Sequence, residues 1–326
     1  MGCVSEHPAA GRHPCTGTIP CALHSAQGGA AGRRKHTAMR DDPRPLRVAR
    51  RGACGVPITH GGSLLRILIT NDDGIYAPGL IALARCLCQV GDVTAIAPDR
   101  PRSATGHAIT LHKPLRMQEV TLPGGVTGFS TNGTPSDCVV LGMSSLDPRP
   151  ELVISGINQG PNLGEDLTYS GTVSAAMEAA ICGVNAFAIS VAAFEVASFD
   201  PAAEFACHLS RIIAERGLPP DTFLNVNIPN AEPEAIAGVA VTHQGRRRYQ
   251  TRIEARVDPR GRPYYWLGGD LHDQDTDPST DVGALALDMI SVTPIHLDLT
   301  NHGFLKELAH WDIGGQWRCD GGGSGK

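Results

Sequence analysis

Residues Leu65–Gly74 read LRILITNDDG. The apolar run Leu65–Thr70 predicts a buried strand, and the turn that closes it carries two adjacent acids, Asp72 and Asp73. Beyond the turn, Gly79–Gln89 (GLIALARCLCQ) places apolar residues at helical spacing, and Asp92–Ala97 (DVTAIA) predicts a second strand. The alternation continues with a strand at Leu152–Ser155, a helix at Val173–Cys182, a strand at Ala186–Val191, a helix at Ala202–Glu215 and a strand at Thr222–Ile228. Short β-rich runs separated by helices predict an α/β fold with a mainly parallel sheet and flanking helices. In such sheets, ligands bind beyond the carboxyl ends of the strands.

From about Val239 the texture changes. Val239–His243, Tyr264–Leu267 and Met289–Pro294 predict short strands, and His302–His310 predicts a last helix. Gly245–Ser279 is charged and rich in Arg and Asp. It is expected to form an extended β-hairpin arm, an element suited to an interface. The expected organisation is a core over 65–238 and an arm, strands and helix over 239–312.

Both ends differ from this middle. Residues 1–64 are rich in Gly, Pro, Arg and His and show no apolar periodicity. They are expected to be a disordered extension, or the product of a start assigned too early, with Met39 as a later start. No apolar stretch there has the length of a secretory signal core. The Arg content also fits a transit peptide, but Ser is sparse. Residues 313–326, ending in GGGSGK, are expected to be a flexible tail.

The bulk numbers bound the function. The 326 residues are 41% hydrophobic and 19% charged, the range of a globular protein rather than a disordered one. A net charge of -5 argues against a nucleic-acid polymer as main ligand. No apolar run approaches the ~20 residues of a membrane span. The ten cysteines form no CxxC pair and no disulfide framework, so reduced thiols in a cytoplasmic protein are expected.

Several loops then carry candidate chemistry. Asp72 and Asp73 admit two readings. Paired carboxylates suit a hard divalent cation, which takes one or two carboxylates plus water and phosphate oxygens. Alternatively, they cap the helix that begins near Ala77-Pro78. The loop after the second strand, Asp99–His107, holds Arg100, Arg102, Ser103, Thr105 and His107. It reads either as a phosphate- or metal-contacting loop or as solvated surface. After Leu152–Ser155 come Asn158 and Asn162 among glycines, ordinary turn residues that are also neutral oxygen ligands. Tyr169–Ser174 (YSGTVS) opens a helix, where hydroxyls and N–H groups favour a phosphate or simply cap the helix. Ser130–Cys138 is a further hydroxyl-rich turn with the same two readings.

Taken together, these stretches resemble the SurE family, the stationary-phase survival proteins. The resemblance rests on Ile67–Ile75 (ILITNDDGI), Ala97–Arg100 with Arg102-Ser103, Ser155–Asn158 with Gly160–Asn162, Ser170–Ser174 and Thr293–Ile295, in order along the chain. It implies a Rossmann-like core and a metal-dependent 5′(3′)-nucleotidase acting on nucleoside monophosphates. It implies one divalent cation per subunit, Mg²⁺ or Mn²⁺, held by Asp72, Asp73, Ser103 and Asn158. Phosphate contacts map to Asn162, Ser170, Gly171, Thr172 and Ser174. The family pattern also implies a homodimer or homotetramer that exchanges C-terminal elements, which agrees with the arm at Gly245–Ser279. Residues 1–64 lie outside the resemblance.

The implied reaction is attack of an activated water on the phosphate, with Asp72 or Asp73 assisting as base. His107 is a candidate acid for the leaving oxygen, against a structural reading of the same residue. The competing function is a nucleotide-binding regulatory protein without turnover. A haloacid-dehalogenase-like phosphatase is disfavoured, because its Asp-x-Asp motif is replaced here by adjacent acids. No base-stacking aromatic is identifiable in a chain with 5% aromatic residues.

Overall fold

The computed structural model of the chain describes residues 58–60, 62–311 and 313. The expectations for residues 1–57 and for the tail beyond Ile313 lie outside the described residues. Regular structure reaches back beyond the expected core start at 65. Strand β1 (Thr59–His60) pairs antiparallel with β2 (Ser63–Leu64), and the Ile58 N–H donates to the Val90 carbonyl.

The sheet begins with β3 (Arg66–Thr70), followed by α1 (Pro78–Leu87) and β4 (Asp92–Pro98). Next come β5 (Met117–Thr121), β6 (Thr127–Thr131), α2 (Pro135–Ser145) and β7 (Leu152–Gln159). Then follow α3 (Gly171–Ile181), β8 (Asn185–Val191), α4 (Asp200–Arg216) and β9 (Thr222–Ile228). The chain ends with β10 (Gly238–Val241), β11 (Arg247–Val257), β12 (Pro263–Gln274), α5 (Asp281–Leu285), β13 (Met289–His296) and α6 (Leu305–Leu308).

Nine strands share one sheet in the order β10-β13-β9-β8-β7-β3-β4-β6-β5. From β9 to β6 every ladder is parallel. Counted by sequence, these six strands lie in the order 3-2-1-4-5-6, which is that of the doubly wound Rossmann fold. The expected α/β architecture is thus present. β5 and β13 pair antiparallel with the two sides of this block, and β10 runs parallel to β13. The C-terminal strands therefore extend the core sheet. The arm is a separate two-stranded hairpin, β11–β12.

Strand alternation fills both faces. Ile67 and Ile69 pack with Leu80, Leu83 and Leu87 of α1 and with Ala206 and Ile213 of α4. Leu68 of the same strand faces the other way, with Val139 and Met143 of α2 and Ala175, Ala176 and Ala179 of α3. Helix α1 starts where Pro78 suits a first turn, because its missing N–H would have no helical partner there. It buries Leu80, Leu83, Ala84 and Leu87, one stripe of its surface. The described cysteines are free thiols, and Cys86 of α1 meets Cys207 of α4 with 2.8 Å between sulfurs.

Two sequence expectations are adjusted. The expected last helix, His302–His310, is a single α-turn at Leu305–Leu308. Strands β5 and β6 and helix α2 lie in a stretch whose regular structure the hydrophobic pattern did not reveal.

Candidate active site

β3 and β7 are adjacent and in register, with Thr70 opposite Ser155. The chain leaves β3 towards β4 and later returns to β7 on its other side, so the crevice at their carboxyl ends is a topological switch point. Asp72 and Asp73 follow β3 directly, and Asn158 lies in the last turn-ward residues of β7.

The turn after β3 is closed by Asn71. Its side chain accepts from the Gly74 N–H and donates to the Gly74 carbonyl, both at 3.1 Å. Sequence reasoning gave Asn71 no role. The signal was available, since Asn two or three residues ahead of Gly is a side-chain-closed turn. The closed turn presents both acids. Neither caps α1, whose N-cap is Ala77 without a side-chain hydrogen bond. The helix-cap alternative for that helix is therefore excluded.

Asp72 instead meets the start of α3. The Thr172 hydroxyl donates to its Oδ1 at 2.5 Å, and the Gly171 and Thr172 N–H groups add a smaller pull that favours the charged carboxylate. A carboxylate at a helix N-terminus is favoured by the orphan N–H groups and the dipole. Gly171 is required for this approach: a Cβ there would sit 2.8 Å from the Asp72 Cβ. The Asp72 carbonyl accepts from the Arg102 N–H at 2.7 Å, which brings the Ser103 loop to the acids. The Gln159 N–H opposes the effect of burial on the Asp73 carboxyl, which brings in the end of β7 beside Asn158. Gly156 lets β7 pass close to β8, for a Cβ there would lie 2.3 Å from the Ile189 carbonyl oxygen.

Burial dominates the electrostatics. It holds the Asp72 carboxyl above the ordinary range, against the opposing pull of the Thr172 and Gly171 donors. Asp73 is pushed up to about 6, first by burial and then by the neighbouring Asp72 charge. No Lys, Arg or His among the described residues forms a salt bridge with either acid. Two adjacent carboxylates thus share a partly dry site with no ion pair among the described residues. No group of three or more His, Cys, Asp or Glu side chains among the described residues is placed to hold a metal ion. A cation here would rely on two carboxylates and neutral oxygens, a donor set that suits a hard cation. Asn158 donates through Nδ2 to the Gly160 carbonyl at 2.8 Å, so its Oδ1 is the atom left to accept.

The hydroxyl turn is more committed than sequence implied. Ser170 caps α3 by accepting from the Val173 N–H at 3.1 Å. Ser174 donates to the Ser170 carbonyl at 2.6 Å, and Thr172 is held by Asp72. The Ser170 hydroxyl proton is the one not assigned to a partner in this turn. Asn162 is fixed from three sides. Its N–H donates to Asn227, its carbonyl accepts from Asn225 and Asn227, and its own amide donates to Ser190 at 2.8 Å. Asn225 and Asn227, on β9, are positioning residues that the sequence reading passed over as part of a strand.

The loop Asp99–Thr110 is tied down along its length. Arg102 donates to the Asn132 carbonyl at 2.9 Å, so its guanidinium is engaged within the protein. The Gly106 N–H donates to the Tyr169 carbonyl, and His107 Nε2 lies 2.7 Å from Glu178 Oε2 on α3. Asp137 accepts from the Thr110 N–H while it completes a capping box with Thr134 at the start of α2. The Ser130–Cys138 turn therefore caps a helix and anchors the loop.

A family model described as "Survival protein SurE" matches residues 67–251. The chain belongs to the SurE family. A 5′-nucleotidase SurE from Moorella thermoacetica is 54% identical over 245 residues, covering 74% of this chain and 94% of that protein. The protein of the same name from Heliobacterium modesticaldum is 52% identical over 253 residues, 77% of this chain and 93% of that protein. Among solved structures, the SurE protein from Aquifex aeolicus superposes with a TM-score of 0.65 at 42% identity, covering 74% of this chain and 98% of that one. The SurE motifs at Asn71–Gly74, Ser155–Asn158 and Ser170–Ser174 all lie inside the matched segment.

Proposed function

We propose that this SurE-family chain hydrolyses nucleoside 5′-monophosphates to nucleoside and inorganic phosphate, with 3′-monophosphates as a second substrate class. The observation that carries the reading is the meeting of Asp72 with the N-terminal turn of α3, with Asp73 beside it and no ion pair to either acid among the described residues. The relatives named 5′-nucleotidase support the substrate class.

Asp72, Asp73, Ser103 and Asn158 would hold one divalent cation, Mg²⁺ or Mn²⁺. When bound, the cation supplies charge neutralisation and Lewis acidity towards the phosphate ester and water. The chain's own groups do the positioning. Ser170, Gly171, Thr172, Ser174 and Asn162 surround the phosphate with small side chains and hydroxyls, and Ser170 retains a proton to donate. A carboxylate oxygen of Asp72 or Asp73 takes the proton of the attacking water. The water oxygen–phosphorus bond forms as the phosphorus–ribose oxygen bond breaks, and the leaving oxygen takes its proton from solvent water. His107 is held by Glu178, so the reading assigns it to fixing the loop rather than to the leaving oxygen.

No helix among the described residues is long and apolar enough to cross a membrane. The reading includes a cytoplasmic location, supported by the free thiols. It also includes a homodimer or homotetramer built through the hairpin arm.

The test is phosphate release from 5′- and 3′-monophosphates, with Mg²⁺ or Mn²⁺ and with EDTA. Release is expected with the cation and lost on chelation. Asp72→Asn keeps an acceptor for Thr172 and is expected to fold, yet to lose at least about 100-fold in rate. Near-wild-type turnover in that variant would remove Asp72 from the site. Nucleotide binding without release by the wild-type protein would favour the regulatory alternative.

A further inference from the structure

Helices α1 and α4 pack against each other, and two thiols meet where they touch. Cys86 lies in the last turn of α1 and Cys207 near the middle of α4, with 2.8 Å between their sulfurs. A disulfide needs about 2.05 Å, so closure by less than about 1 Å joins them. We propose that Cys86 and Cys207 form a redox modification site, at which a low-molecular-weight disulfide oxidises the pair to a cross-link that locks α1 onto α4. The proposal is independent of the phosphatase reading.

Three observations carry it. The first is the frame. The two cysteines are 121 positions apart, so the packing of the helices is what brings them together. Leu83 and Leu87 of α1 and Ala203 and Ala206 of α4 are buried in the same core. The sulfurs are therefore held on packed helices rather than on loops.

The second observation is access. A cavity of about 310 Å³ opens between the helices, lined by Cys86, Arg85, Gln89, Asp200 and Glu204. That volume falls within the ~300–1,000 Å³ range of small-molecule sites. Cys86 is half-buried at this cavity, whereas Cys207 is buried at 5% exposure. A reagent arriving from solvent reaches Cys86 first.

The third observation is charge. The hydrogen bond from Cys207 pulls the Cys86 thiol below its ordinary range, and Arg211 and Arg85 add to that pull against burial and Glu204. Cys207 is pushed up, first by its bond to Cys86 and then by burial. The accessible sulfur is thus the one biased towards thiolate, the form that attacks a disulfide.

The exchange takes two steps. The Cys86 thiolate attacks one sulfur of the reagent RSSR, a mixed disulfide forms on Cys86 and RS⁻ leaves. Cys207 then gives its proton to solvent and attacks the Cys86 sulfur. The Cys86–Cys207 bond forms, the mixed disulfide breaks and a second RS⁻ leaves. Two electrons pass from the protein dithiol to the reagent, which ends as two thiols. Excess thiol reverses both steps, so the pair rests reduced in a reducing compartment. The closed loop contains Asn158, Asn162 and Ser170–Ser174, and a cross-link over so long a loop stabilises the fold by restricting the unfolded chain.

The experiment incubates the folded full-length chain with oxidised glutathione, alkylates the remaining thiols, and digests with trypsin and a glutamyl endopeptidase. Cleavage releases residues 86–102, which hold Cys86 and Cys88, and residues 205–211, which hold Cys207. The wild type is expected to give these two peptides joined, two hydrogens lighter than their sum, and dithiothreitol is expected to part them. Cys88→Ser is expected to keep the link and Cys86→Ser to lose it. Cys88→Ser combined with Cys207→Ser is expected to trap glutathione on residues 86–102, where Cys86 is then the one thiol. The oxidised wild type is expected to unfold at a higher urea midpoint than the reduced chain. No joined peptide in the wild type overturns the proposal. So does a link that survives Cys86→Ser and vanishes in Cys88→Ser. Coinciding urea midpoints of the cross-linked and reduced chains overturn the lock.

Discussion

At the residue scale, the site depends on how closely α3 approaches the turn after β3. Gly171 makes the sharpest demand. It is helical and has ordinary backbone angles, so alanine there would favour the helix by up to about 1 kcal/mol. The cost is steric and falls on Asp72, whose Cβ, Cγ and Oδ2 lie 2.8, 3.2 and 3.0 Å from the position of the added methyl. Gly171→Ala is therefore expected to displace one carboxylate and lower phosphate release by about 10- to 100-fold. The melting temperature is expected to change little. Steady-state kinetics beside a thermal melt separates the two effects. Wild-type kinetics in Gly171→Ala would mean that the Asp72 position is not tightly constrained. This contact shows what was and was not legible in sequence. The acids, the glycine and the threonine were each visible as residue types in LRILITNDDG and YSGTVS. Their meeting was not, because Thr172 and Asp72 are 100 residues apart and no local pattern reports that distance. The bonds that hold Asn162 were hidden for the same reason, since its partners Ser190, Asn225 and Asn227 lie on other strands.

At the scale of elements, periodicity found the strands and helices that are apolar on one or both faces. Thr222–Ile228 has the bounds read from sequence, and α1, α3, α4 and β8 differ by a few residues at their ends. Strand β5 escaped because it lies at the sheet edge and is partly exposed, so no buried run marks it. Helix α2 escaped because its signal is a cap, Thr134-Pro135-Ser136-Asp137, read as a hydroxyl-rich turn. A second long-range anchor, Asp281 at the start of α5, fixes how the hairpin meets the core. Its carboxylate accepts from the N–H groups of Gly164 at 3.0 Å, Gly245 at 2.7 Å and Val282 at 2.9 Å. One side chain thus joins the turn before Glu165, the approach to β11 and its own helix. Asp281→Ala strands three donors in a buried place, so the expected loss is on the order of 3 kcal/mol. Asp281→Asn keeps a single acceptor oxygen and is expected to lose less. Urea midpoints at constant m-value check both. Equal stability of the alanine variant and the wild type would show that these N–H groups find other partners.

At the scale of the molecule, the hairpin is the part that the core does not explain. The register of β11 and β12 pairs Tyr249 with Leu271, Ile253 with Leu267, Ala255 with Tyr265 and Val257 with Pro263. Directly paired residues share a face, and so do residues two apart, so these eight lie together. Ile253, Val257, Tyr265 and Leu267 are each more than 60% exposed, which leaves an apolar strip in water. The opposite face carries Arg252, Glu254, Arg256 and Asp270 together with the exposed aromatics Tyr264 and Trp266. An exposed contiguous apolar strip marks an association surface. An isolated two-stranded ribbon is also marginal in water and needs a covering partner. The proposed homo-oligomer supplies one, with a second copy of the chain over the strip. Thr251 and Gly269 are paired, so replacing residues 252–268 by an Asn-Gly turn closes the ribbon without breaking register. The shortened chain is expected to sediment as a monomer while the full chain sediments as a dimer or tetramer. Its core cannot depend on the removed residues, because the nine-stranded sheet contains none of them. An unchanged sedimentation coefficient, once corrected for mass, would move the interface off the hairpin. A shortened chain that is monomeric yet releases phosphate from nucleoside 5′-monophosphates at the wild-type rate would show that assembly is not needed to build the Asp72–Asp73 site.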